Sequence, residues 1–254
     1  MENVVTGTDR MRSFLVLAAT IGVILFNWLA TTGRLGSDTA LISAKYTTLV
    51  TPAAYAFSIW TLIYLGLAAF SIYQLLPANL SRFRAVRSFY IFSCALNCAW
   101  LYFWHREQVV ICFVIIFALC STLFVICYQL RGPGSVRDTW IISGPFGLYF
   151  GWVTSAMLVN FAIMLKFLNV AVSASAETAL AIILVLFAAA LAVFMRVKLT
   201  NYFYPLAVVW ALTAIAVKQS GQTLIVSAAA FGVIACLIAS LSFVMNLNSS
   251  ESVS

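Results

Sequence analysis

The chain has 254 residues, of which 64% are hydrophobic and 8% charged, with a formal net charge of +7. Soluble domains carry about 25% charged residues, so the composition excludes an ordinary soluble fold and describes an integral membrane protein. The seven Asp and Glu and the fourteen Lys and Arg fall in tails or at helix boundaries. That distribution argues against proton relays, ion-coupled carriers and intramembrane hydrolases, which need ionisable groups within the membrane.

At about 20 residues per span, the chain reads as all-α, a polytopic helical bundle with about eight transmembrane helices. A first span over residues 13–32 follows Arg10 and Arg12. Its apolar run is long for a signal peptide, contains Asn27 and Trp28, and lacks a small-x-small cleavage site. A retained helix is therefore favoured over a cleaved signal. The loop over residues 33–51 is among the longest and is the best candidate for a lid. The second span, 52–76, opens TPAAYAFSIWTLIY and sets Phe57, Trp60, Tyr64 and Ser71 close to one face. Pro77 ends it, and Arg82, Arg84 and Arg87 form the most basic loop.

The third span, 88–104, places Tyr90, Ser93, Asn97, Trp100 and Trp104 at alternating spacings of three and four. The fourth, 108–130, is almost featureless Val, Ile, Phe and Cys. A Gly/Pro turn, RGPGSVRD, leads to the fifth, where PFGLYFGWVTSAMLVN sets Pro145, Tyr149, Trp152, Ala156 and Asn160 on one helical face. Spans six (178–195), seven (201–218) and eight (222–245) are apolar, and the polar tail from residue 246 is expected to be disordered. The N-terminus and the even-numbered loops hold nine Lys and Arg, the odd-numbered loops five. Positive-inside counting in a plasma (inner) membrane puts both termini in the cytoplasm and the 33–51 loop outside.

Six cysteines lie within apolar spans without a CxxC pair, and His105 has no carboxylate cluster beside it. They read as small hydrophobes, with no ligand set for a metal. The glycines of RGPGSVRD have no strand or GK[ST] beside them for phosphate binding. The dispersed basic residues suit topology and lipid headgroups, so nucleic acid is not a partner.

The polar and aromatic stripes admit two readings. Packing alone accounts for any one of them, with Asn97 and Asn160 hydrogen-bonding between helices and Trp filling volume. If spans two, three and five adjoin, however, the stripes converge. Trp60, Tyr64, Asn97, Trp100, Tyr149, Trp152 and Asn160 would then form a ligand-binding cavity for a flat, hydrophobic small molecule.

These motifs resemble the TspO/MBR family, the tryptophan-rich sensory or translocator proteins. The resemblance rests on Trp60-x3-Tyr64 preceded by Thr51-Pro52, on Asn97-x2-Trp100, and on WVTSAMLVN from Trp152 to Asn160. It places a five-helix membrane core over residues 1–168 and a three-helix C-terminal extension with a short polar tail over 169–254. The chain departs from the family in lacking the usual Pro-Pro pair and the Trp that follows it, and in the longer Pro145 to Trp152 spacing.

The resemblance implies a bilayer-embedded sensor or receptor, often a homodimer, that binds a porphyrin or haem-type tetrapyrrole or a lipid, without a resident cofactor. It also implies roles in stress signalling or in transport of the ligand. A porphyrin-degrading activity is attributed to some members. No general base or nucleophile accompanies the Trp residues here, so the chain is not expected to be an enzyme. A small-solute transporter using all eight helices is the alternative, and an enzyme acting on a lipid-soluble substrate is a third.

Overall fold

A computed structural model describes residues 5–34, 39–132, 134–170 and 173–251. Helix α1 (Gly7–Thr31) starts ahead of the expected residue 13 because Thr6 and Asp9 form a reciprocal capping box. A short helix, α2 (Thr39–Lys45), lies inside the 33–51 loop. A tight 3₁₀ stretch (Ala54–Ser58) then leads into α3 (Ile59–Tyr73). Helices α4 (Arg84–Trp104) and α5 (Val109–Gln129) follow. A single turn, α6 (Val136–Asp138), and a π-helical stretch (Thr139–Ser143) lead into α7 (Gly144–Phe167). The C-terminal helices are α8 (Ala174–Leu199), α9 (Phe203–Lys218) and α10 (Thr223–Glu251). Where the sequence suggested a disordered tail from residue 246, the helix continues to Glu251, and residues 252–254 lie outside the described set.

The eight expected spans thus correspond to α1, α3, α4, α5, α7, α8, α9 and α10. Among the described residues, six stretches are long and apolar enough to cross a membrane. Helix α4 is outside that group because Arg84, Arg87, Ser93 and Asn97 lower its hydropathy, and α9 because it has only 16 residues. Large apolar side chains such as Leu65, Val114, Phe187 and Phe231 are exposed around the outside, as a lipid-facing surface requires. The molecule is a polytopic helical membrane bundle.

Helices α1, α3, α7, α5 and α4 form a ring in that order, each packing on the next and α4 returning to α1. Helix α9 lies along the outer side of α7, and α8 and α10 pack on α9 and on each other. Glycine permits the α7–α9 approach. A Cβ on Gly151 would run into the Tyr204 carbonyl oxygen, and one on Gly147 into Asn201 Oδ1. A larger residue at Gly151 would push α9 away from α7, and one at Gly147 would displace the Asn201 side chain at the start of α9.

Polar contacts fasten the two ends of the ring. At the end holding the N-terminus, Arg84 pairs with Asp9 (2.6 Å) and Arg82 with Asp138 (3.0 Å). Arg87, which the sequence assigned to a basic loop, instead lies inside α4 and is fully buried. Its guanidinium donates to Gln74 Oε1 (2.8 Å) and the Leu80 carbonyl (2.6 Å) and stands 3.8 Å from Asp9. Burial of an arginine is tolerable only with this saturation of its donors. Just inside this end, Phe70, Phe83, Tyr90 and Phe146 pack ring against ring, with Phe70 and Phe146 centroids 4.8 Å apart. They plug the interior of the ring.

An aromatic chamber beneath helix α2

The interior on the far side of that plug, below α2, is a small chamber. Helix α3 contributes Trp60, with Phe57 just ahead of it. Asn97, Trp100 and Trp104 come from α4, and Trp152, Ser155, Ala156, Val159 and Asn160 from α7. Ile116 and Leu119 of α5 close another side, and Ser43 and Pro52 form the roof. The stripes therefore meet because α3, α4 and α7 face one another across a five-helix ring. Spacing placed these residues on common faces; the ring turns those faces inward.

Of the seven residues singled out from sequence, Trp60, Asn97, Trp100, Trp152 and Asn160 line the chamber. Tyr64 and Tyr149 stand behind that lining and brace it. The Tyr64 ring stacks on Trp60 at 5.2 Å, and the Tyr149 ring meets Trp60 edge-on at 5.7 Å. Asn97 Nδ2 donates to the Tyr149 hydroxyl (2.9 Å), while the Tyr64 hydroxyl makes a long contact of 3.4 Å with Asn97 Oδ1. One amide thus joins α3, α4 and α7. Nearer the roof, Trp100 Nε1 donates to Asn160 Oδ1 (3.2 Å) and ties α4 to α7. Trp104 stacks on Trp100 at 5.1 Å and donates to the Thr39 carbonyl (3.2 Å), so the aromatic wall reaches the lid helix.

Both asparagines are engaged with protein partners. Among the described residues, the indole N–H groups of Trp60 and Trp152 make no hydrogen bond. The chamber lining carries no charged side chain, and its free volume is about 40 Å³. That is room for a water or two, with the rings closed on one another.

The lid is fastened on several sides. Lys45 pairs with Glu107 (2.6 Å), to which the Tyr46 hydroxyl also donates. Lys166 Nζ donates to the Thr47 carbonyl (2.6 Å) and Gln219 Nε2 to the Thr48 carbonyl (3.1 Å). These contacts draw residues 45–48 to the ends of α4, α7 and α9. The hydrogen bond from Lys45, then that from Tyr46, holds the Glu107 carboxyl below its usual 4.5, and the same carboxylate pushes the Tyr46 hydroxyl up to about 12.

Sequence reasoning missed several lining residues, among them Ser43 and Pro52 of the roof and Ile116 and Leu119 of α5. Trp104 continues the Asn97–Trp100 stripe and was visible by spacing. Ala211 and Ile215 of α9 also line the chamber. They carry no chemical signal, and only the close α7–α9 packing brings them there. All six cysteines are free.

The fold and this chamber define a helical membrane protein with an aromatic cavity enclosed by a five-helix ring. The family model described as TSPO-like protein matches residues 13–243, and the chain belongs to that family. The match runs on through α8, α9 and most of α10, beyond the stretch that carried the motif resemblance. No curated protein and no solved structure matches the chain. Family membership supports a membrane sensor or receptor-type role.

Proposed function

We propose that the chamber binds a flat, hydrophobic small molecule, with a tetrapyrrole the first candidate, and that the protein reports or passes on its presence. The observation that carries this reading is the convergence of Trp60, Trp100 and Trp152 on one uncharged interior space. Aromatic walls supply stacking area at little entropic cost, and the two indole donors give orientation.

Ligand pockets for molecules of this size hold about 300–1,000 Å³, far more than the closed chamber. Binding therefore parts the rings. Displacing Trp100 and Trp104 strains the Trp104–Thr39 hydrogen bond and loosens α2, so occupancy is transmitted to the lid face. A ligand that favours the open arrangement shifts the population towards it. The aromatic plug on the other side favours binding over passage through the ring, which sets this reading ahead of a small-solute transporter. The hydroxyl side chains at the chamber wall, Ser43 and Ser155, have no His, Asp, Glu or Lys beside them in the lining, which supports binding rather than turnover. The arginine-rich end is assigned to the cytoplasm on the positive-inside rule.

Titration of intrinsic tryptophan fluorescence with protoporphyrin IX tests the reading. Saturable quenching at roughly micromolar ligand, weakened about tenfold in Trp152→Phe, is expected from the loss of one stacking wall and one donor. Linear quenching alike in both proteins would mean partitioning into the micelle and would remove the chamber as a site.

A further inference from the structure

The chamber has a neighbour. On the α8 side of α7, a narrow space of about 20 Å³ shares Ser155, Val159, Ala211 and Ile215 with the chamber. The same space shares Val50 and Leu184 with a third, much larger cavity of about 370 Å³. That cavity opens at the lid end of the bundle, where the ends of α7 and α8 meet the 48–50 segment. Its floor is apolar, with Leu165, Leu180 and Leu184, and its rim carries Lys166, Asn169 and Glu177. Wide vestibule, narrow neck and closed chamber thus share walls in series.

We infer that this series is the access route of the chamber, running laterally between α7 and the C-terminal helices α8 and α9. The route takes an amphipathic molecule with a flat apolar body, whose polar group is held at the Lys166–Asn169–Glu177 rim while the body passes the neck. The proposal rests on the chamber reading above and adds a function for helices beyond the five-helix ring: α8 is one wall of the neck, and α9 is a wall shared by neck and chamber. The roof offers a poorer way in, because α2 is tied by hydrogen bonds to α4 and the residues after it to α7 and α9. Val50 and Leu184 stand where the neck meets the vestibule. Val50 is 3% and Leu184 8% exposed, and rotation of two aliphatic side chains is a smaller motion than detaching a helix.

Leu184 lines the neck and the vestibule without touching the chamber, so its size should alter rates and spare affinity. Stopped-flow quenching of tryptophan fluorescence by protoporphyrin IX would be followed in wild type, Leu184→Phe and Leu184→Ala. Crowding the neck with phenylalanine is expected to slow association and dissociation together by about tenfold, leaving the equilibrium constant within about twofold. Alanine is expected to quicken both rates, which a folding defect would not do. Saturable wild-type quenching with unchanged rates in both variants would overturn the route and leave the chamber standing. A change confined to dissociation would make Leu184 part of the binding site and also overturn it. Absence of saturable quenching in wild type would remove chamber and route together.

Discussion

Asn97 shows how much one side chain does in an apolar interior. Its amide joins Tyr64 of α3 to Tyr149 of α7, and all three residues are buried. Replacing it with alanine leaves two phenolic hydroxyls without that partner, at a cost of about 1–3 kcal/mol. Thermal unfolding in detergent should show the loss. Arg87 poses the same problem with a charge. Arg87→Met leaves Gln74 Oε1 and the Leu80 carbonyl unpaired and Asp9 with one cation fewer, which should destabilise by about 3 kcal/mol, as breaking a buried pair does. An unchanged midpoint of unfolding would mean that Gln74 and the 79–80 segment find other partners.

Spacing made the stripes legible at this scale but could not read depth. Trp60 and Tyr64 share a face one turn apart, yet only the first reaches the chamber and the second braces it from behind. The same holds for Trp152 and Tyr149. Arg87 was read as a loop residue because apolar counting began at residue 88. The carbonyls that surround it come from the segment before α4, and nothing in its neighbours' identities announces that they fold back over it.

Among the elements, α7 is the one on which both halves of the bundle depend. Its Trp152–Asn160 face enters the ring, and its glycine side receives α9. Gly151→Val would drive a side chain into the Tyr204 backbone, and overpacking of this kind costs about 1–3 kcal/mol. Because α9 supplies Ala211 and Ile215 to the chamber, the substitution should weaken ligand binding as well as lower the unfolding midpoint. A stability loss with unaltered affinity would separate α9 from the site.

The lid responds to pH through Glu107. Its folded value lies below 4.5, so its hydrogen bonds with Lys45 and Tyr46 stabilise the lid fully above pH 4.5 and are lost as pH falls through the folded value. The pair is exposed, and its contribution is no more than about 1 kcal/mol. Protection factors for hydrogen exchange across residues 39–45, which divide out the slowing of intrinsic exchange in acid, should fall in acid in the wild type. In Glu107→Gln they should already be low at neutral pH, with little further acid response. The 33–51 segment was legible as a long loop, whereas its fastenings depend on contacts between segments more than sixty residues apart.

For the whole molecule, the length of the apolar runs located the eight long helices of the described residues, since every lipid-facing span must satisfy its backbone internally. It could not order them around a ring. That order follows from side-chain fit, from the glycines of α7 and from buried polar links such as Thr20 to Ser71 and Tyr90. The ring, its plug and the fastened lid together explain why the aromatic stripes enclose a space and why that space is closed.

In the proposed function the closed chamber opens to hold a flat ligand between Trp60, Trp100 and Trp152. A structure of the protein solved with protoporphyrin IX would decide the matter. A porphyrin is expected inside the ring, with the Trp100–Trp104 stack displaced and the chamber enlarged from about 40 Å³ to several hundred. A porphyrin lying on the lipid-facing surface, with the chamber still closed, would contradict it.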